Sequence, residues 1–229
     1  MSEPLPRALE ILWREPSAPG RSKGLTRERI VRAAVELADA DGLAALSMAR
    51  LAERLGCGTM SLYRHVANKD ELVMFMLSAA PGPPPSMGTT NWAAALTNWA
   101  TGLWEVYHRH PWILQAAAAG APVDPGQLAW LDAGLAALGD TGLAERDKLT
   151  AVMAILHFVR GAAALDIEAG SVDWPDYPAL LRKLIAPKQF PALAAALHDG
   201  VFDRTDDDPL AHFRSGLNQL LDGIAARIG

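Results

Sequence analysis

The 229-residue chain holds a single cysteine, Cys57, which excludes an internal disulfide and fits a reducing cytoplasm. Runs of β-branched residues and alternating strand patterns are absent, so little is left from which to build a sheet. There is no apolar run of about eighteen residues, and no charged start followed by an apolar core and cleavage site. Neither a membrane span nor a secretion signal is therefore expected. A Gly-x-Ser-x-Gly elbow, a phosphate-binding glycine loop and a His-Glu-x-x-His pattern are all missing. His108 and His110, two apart, point to different sides of a helix, and no cysteine or carboxylate set completes a metal site, so they read as solvated histidines. No metal, no cofactor and no enzymatic activity is expected; an all-helical enzyme remains the weakest alternative. A basic excess is lacking too, with a net charge of -5.

What is present is apolar and helix-forming. Half the residues are hydrophobic, Ala and Leu dominate, and an all-α protein is the natural class. The charge is unevenly spread. Residues 78 to 229 carry 10 Lys and Arg against 16 Asp and Glu, whereas residues 21 to 69 carry 9 against 5. A local positive field of that kind attracts phosphate even on an acidic chain, although by itself it also fits an ordinary solvated surface.

The stretch Ser47 to Val66 reads as two short helices with a tight turn between them. Ser47 is placed to cap the first, Leu51 and Leu55 share a face, and Gly56 follows the last apolar turn. Leu62 and Val66 repeat the four-residue spacing, and Ala52 is small enough for the helices to cross closely. Thr59, Met60, Ser61 and Arg64 are left on the outer face, as in a DNA-reading helix-turn-helix. Thr26, with Leu25 and Ile30 as a hydrophobic staple, starts a supporting helix that runs to about Asp41 and ends at Gly42. Asn68 and Glu71 have the spacing of a reciprocal capping box at the start of a fourth helix.

Four segments follow from composition. Residues 1–24 form a flexible N-terminal arm with a short helix around Ala8 to Arg14; Arg14, Arg21 and Lys23 could follow a phosphate backbone, or the arm could be a solubilising tail. Residues 25–80 form the head. Residues 81–91, rich in Pro and Gly, form a linker. Residues 92–229 form a helical bundle, with helices from Trp92 to Pro111, Trp112 to Ala119, Asp124 to about Leu138, Ala144 to about Ala169, Trp174 to Ile185, Phe190 to Leu197 and Pro209 to Ile228. The run Asp206 to Asp208 is read as an exposed connector.

Leu51-Ala52-Glu53-Arg54-Leu55-Gly56, then Ser61-Leu62-Tyr63-Arg64-His65-Val66, then Asn68-Lys69 with its apolar helix, resembles the head of the tetracycline repressor (TetR) family. His157-Phe158-Val159-Arg160-Gly161 and the segment Gly216 to Ile224 resemble that family's C-terminal domain, so the similarity spans nearly the whole chain. The resemblance implies that Tyr63 and Lys69 contact phosphates, which suits a phenol and an ammonium at the two ends of one docking surface. The DNA-binding set is then Ser47, Met48, Arg50, Thr59, Met60, Ser61, Tyr63, Arg64, His65 and Lys69. Tetracycline-responsive members place arginine where this chain has Ala49, and glutamine and proline where it has Thr59 and Met60, so their operator sequence does not carry over.

The resemblance further implies a ligand cavity and a homodimer. Trp99, Leu103, Trp104, Trp112, Gln115, Trp130, Met153, His157 and Phe158 lie on the helices that surround the cavity in that family, with ordinary core packing as the alternative at each. Gly161, Leu217, Leu220, Leu221 and Ile224 fall on the helices that form the family's dimer interface; the alternative is that they close the core of one chain. Gln115 and Leu165 stand where metal-linked residues would be, which argues against tetracycline with magnesium and for a bulky, largely apolar effector. The expectation is a homodimeric repressor released from palindromic double-stranded operator DNA by a small molecule. The competing reading is a helical small-molecule carrier that does not bind DNA sequence-specifically.

Overall fold

Side-chain caps set most of the helix starts, because the first N–H groups of a helix have no partner within it. The computed structural model describes residues 5–14, 24–86, 88, 91–117, 120–171, 177–203 and 210–228. The expectations placed on Arg21, Lys23, Trp174 and Asp206 to Asp208 lie outside these residues. Among the described residues the regular structure is helical: α1 (Arg7–Leu12), α2 (Arg27–Asp41), α3 (Met48–Leu55), α4 (Thr59–Tyr63), α5 (Lys69–Ala79), α6 (Trp92–Arg109), α7 (Trp112–Ala116), α8 (Pro125–Ala136), α9 (Glu145–Ser171), α10 (Tyr177–Leu184), α11 (Pro191–His198) and α12 (Ala211–Ile228).

In the head, Thr26 caps α2 by accepting from the Arg29 N–H at 3.3 Å, and Ser47 caps α3 by accepting from the Arg50 N–H at 3.2 Å. Gly56 ends α3 at φ 65°, a left-handed conformation that costs a side chain-bearing residue more than glycine. Ile30, Leu51, Leu62, Val66 and Leu72 are fully buried where α2 to α5 meet. Asn68 caps α5 through the Glu71 N–H at 2.8 Å, but the Glu71 carboxylate does not return to the capping residue. It accepts from the Ala67 N–H at 3.0 Å and pairs with Arg7, so the expected reciprocal box is displaced by one residue.

That ion pair belongs to a second difference. The part of the N-terminal arm from Arg7 to Leu12 is a helix docked on α5, with Ala8 and Leu9 buried. The Trp13 indole then donates to the Val123 carbonyl at 3.0 Å, which ties this segment to the bundle. The apolar Leu9, and the burial that it gains, favour docking over a solvated arm.

In the bundle, α6 and α9 pack along each other, α8 lies against both, and α12 covers α9. Close approach rests on small residues: a Cβ at Gly216 would overlap the Phe158 ring at 2.6 Å, and one at Gly134 would meet Val152 at 2.9 Å. Among the described residues one helix, α9, is by length and composition apolar enough to cross a membrane, as core helices of helical bundles also are. It is the spine of the bundle, with only one side turned to α6, α8 and α12.

Candidate nucleic-acid interface and ligand cavity

The expected reading residues emerge on the outer side of the head. Thr59 and Arg64 are exposed, Met60 is 73% exposed, Tyr63 is 45% exposed, and Ser61 and His65 are half-buried. The physical reason is the five-residue length of α4: its one inward residue, Leu62, fills the core and the rest must face out. Ser47 is exposed but spends its hydroxyl on the cap, and Met48 is half-buried. Arg50 is engaged inside the head, donating to Asp41 at 2.7 Å and to the Ala45 carbonyl at 3.2 Å. Arg54 pairs with Glu36 at 3.1 Å. Lys69 is exposed with its Nζ 3.5 Å from the Leu43 carbonyl, so Tyr63 and Lys69 are both accessible near the end of α4 and the start of α5.

In the bundle a cavity of about 270 Å³ opens between α6, α8 and α9 and under the segment that follows α5. Of the expected ligand residues, Trp99, Leu103, Trp130, Met153 and His157 line it. The other four do not. Trp104 packs on Phe213 with ring centroids 4.5 Å apart, Phe158 stacks on Phe213 at 5.6 Å, Gln115 is exposed, and Trp112 turns to the head. A helix four to five turns long carries more than one apolar stripe, and only one of them can face the hollow.

The sequence reading missed the polar members of the wall, Tyr107, Gln127 and Arg160. A signal was present: Tyr107 lies four residues beyond Leu103, and Arg160 three beyond His157, at helical spacing from residues that were chosen. Burial pushes the Tyr107 hydroxyl up to about 12, while the nearby Arg160 charge pulls the other way. A more open hollow of about 500 Å³ lies beside α2 and α5, but it mixes Arg27 and Arg32 with Glu28, Glu36 and Asp39 at a charged, solvated rim.

Cavity and head are joined by a few specific contacts. The Trp130 indole, in the cavity wall, donates to the Gly82 carbonyl just after α5 at 2.9 Å. The Gly126 N–H lies 3.3 Å from the Ser78 hydroxyl, and a Cβ on Gly126 would overlap the Ser78 carbonyl, so α8 touches the backbone of α5. On the other side, Asp39 of α2 accepts from the Trp112 indole at 2.7 Å and sits 2.7 Å from His110 Nδ1. His110 is thus buried and paired rather than solvated, and His108 bridges the Trp104 carbonyl and Asp166, both at 2.9 Å.

The residues assigned to a dimer seam divide. Leu217, Leu221 and Ile224 are only 1%, 7% and 7% exposed within one chain, because the stripe at four- and three-residue spacing packs inward. Leu220 is half-buried and Gly161 lies exposed with nothing near its missing Cβ. On the outer side of α9, Leu165 is 70% exposed, while Leu149, on a different face of that helix, is 44% exposed.

Comparison with known proteins gives a consistent set of relatives. A family model described as "Tetracyclin repressor-like, C-terminal domain" matches residues 84–228, and one described as "Bacterial regulatory proteins, tetR family" matches residues 30–74. The chain is 36% identical to the HTH-type transcriptional repressor DrrR1 of Streptomyces coeruleorubidus, over 95% of this chain and 84% of that protein. It is 31% identical to the tetracycline repressor protein class A from transposon 1721 of Escherichia coli, over 86% of this chain and 89% of the relative. Among solved structures, ActR of Streptomyces coelicolor in complex with actinorhodin superposes with a TM-score of 0.76 at 26% identity, covering 90% of this chain and 99% of that one. ActR has also been solved in complex with (S)-DNPA.

Proposed function

The chain belongs to the TetR family of DNA-binding, ligand-responsive transcriptional regulators, and from that premise we propose that it is a homodimeric repressor released from a palindromic operator by a small molecule held in the bundle. The observation that carries the switch is the Trp130 indole, which lines the cavity and bonds to the Gly82 carbonyl beside the end of α5. A ligand that displaces Trp130 pulls on the helix whose first residue, Lys69, stands at the DNA face. Binding and release are linked, so a ligand that prefers the released state weakens DNA binding by the factor by which DNA weakens ligand binding.

Two heads read a palindrome when their recognition helices lie about 34 to 36 Å apart, one turn of DNA. The dimer is built on the outer side of α9 and α12, where Gly161, Leu165 and Leu220 present small and apolar groups. Tyr63 and Lys69 hold phosphates, and Thr59, Met60 and Ser61 face base edges. The protein acts by binding, without turnover, in the cytoplasm where its DNA is. Its effector is a small organic molecule, as the ActR complexes with actinorhodin and (S)-DNPA illustrate for a relative.

The test titrates candidate ligands against tryptophan emission and operator binding in parallel, with Trp130→Phe beside the wild type. The variant keeps operator affinity and loses at least tenfold of the ligand's power to release it. Compounds that fill the cavity yet leave operator affinity unaltered would overturn the switch and favour a carrier.

A further inference from the structure

The cavity wall is built from Trp99, Leu103, Trp130 and Met153, and among its lining residues Arg160 is the one permanently charged group, with no Asp or Glu beside it. Among the described residues Arg160 forms no ion pair, and its one hydrogen bond is a long one, 3.5 Å from Nη2 to the Leu114 carbonyl. This is unusual placement for a guanidinium. The other arginines that contact carboxylates among the described residues, Arg7, Arg14, Arg50, Arg54 and Arg182, do so at the surface or the head, while Arg160 is half-buried midway along α9. Half-buried in a largely apolar wall and held by one weak carbonyl contact, the guanidinium keeps donors available to a ligand, so the missing counter-charge points to what completes the site.

We propose that the effector carries an anionic group, a carboxylate or an acidic enol or phenol, on an otherwise flat apolar body, and that Arg160 is its partner. The reading rests on the bundle cavity being the effector site, as above. The guanidinium presents a planar fork of donors that fits two oxygens of such an anion. Tyr107, on the facing helix α6, is within reach of the Arg160 charge and keeps its proton, so it donates an O–H to the same group. His157 sits one turn before Arg160 on α9 and offers a further ring N–H to the ligand. Trp99 and Trp130 supply apolar faces for the body of the ligand, and both indole N–H groups are already spent, on the Trp130 and Gly82 carbonyls at 2.7 and 2.9 Å. The aromatic walls therefore recognise shape, and charge is left to Arg160.

The probe is a matched pair, 2-naphthoate and the neutral 2-naphthamide, titrated calorimetrically into the full chain at neutral pH. Wild-type protein binds the carboxylate at least tenfold tighter than the amide. Arg160→Gln binds the amide as the wild type does and loses the preference, and Tyr107→Phe weakens the carboxylate several-fold and so keeps only part of the preference. Equal affinity for both probes in the wild type, or a preference that survives Arg160→Gln, overturns the proposal while leaving the cavity as a binding site. Binding of neither probe removes the cavity reading together with it. If Arg160→Gln does not fold, the wild-type comparison and Arg160→Lys, which keeps the charge and loses the fork, carry the same decision: the lysine variant holds part of the preference.

Discussion

Lys69 and Tyr107 are single side chains whose roles separate cleanly in solution. Lys69 is exposed, and its one side-chain contact among the described residues is a 3.5 Å approach to a carbonyl, so its removal should leave the fold intact. Lys69→Ala should weaken binding to specific and random duplexes alike and flatten the salt dependence by about one unit per head, since one fewer phosphate is neutralised. Thr59→Ala should instead change sequence preference. Salt titrations on both kinds of duplex decide between these roles, and an unchanged slope removes Lys69 from the phosphates. Tyr107 acts on stability. Its hydroxyl is pushed up to about 12 in the folded chain, against an ordinary value near 10. Above about pH 10 the unfolded chain loses this proton while the folded chain keeps it, so stability present below that pH drains away as pH rises towards 12. The loss is on the order of 2 kcal/mol, and Tyr107→Phe should remove that part of the alkaline slope in denaturant titrations at pH 9 to 11.

At the scale of elements, the joint between α5 and α8 matters most. The head is anchored where α8 meets the backbone of Ser78, and glycine at position 126 is the condition for that contact. Gly126→Ala should separate the two helices and cost about 1 to 3 kcal/mol, as overpacking at a rigid contact does. Because the overlap is with a carbonyl rather than a side chain, Ser78→Ala will not restore it. Denaturation midpoints of the single and double variants test this, and a wild-type midpoint for Gly126→Ala would show that the contact is not kept in solution. The same joint explains why the segment 81–91 is more than a spacer: Pro81 lines the cavity and Gly82 receives Trp130.

At the scale of the whole molecule, the outer side of α9 and α12 leaves Leu165 and Gly161 uncovered among the described residues. Leu165, at 70% exposure, is costly to leave in water on a helix this apolar, and Gly161, four residues before it on the same face, leaves room for a second helix to approach closely. A charge at Leu220, as in Leu220→Arg, should yield a folded monomer with at least a tenfold loss in operator affinity. Leu217→Arg, by contrast, should unfold the chain, because that side chain is 1% exposed in the protomer core. Light scattering with circular dichroism separates the two, and a Leu220→Arg dimer of normal mass would place the interface elsewhere.

The sequence by itself determined the all-α class, the order of the helices and most of their ends, because caps and periodicity act within a few residues. Thr26, Ser47, Asn68 and Asp124 all cap the helices read from them, and Gly56 ends α3 as its position implied. The outward set on α4 was legible for the same reason: a short helix with one apolar residue has only one way to face. Tertiary structure alone decided what depends on which of several apolar stripes meets which neighbour. It turned Trp99 and Trp130 to the cavity, Trp104 to Phe213 and Trp112 to Asp39, although all four looked alike along the chain. It buried Leu217 and left Leu220 half out, and it placed Arg160, read in the sequence only as part of a family-like segment, in the cavity wall near Tyr107. A helix that is apolar on more than one side does not encode its own inside, and the partner that covers each stripe is fixed only when distant segments pack.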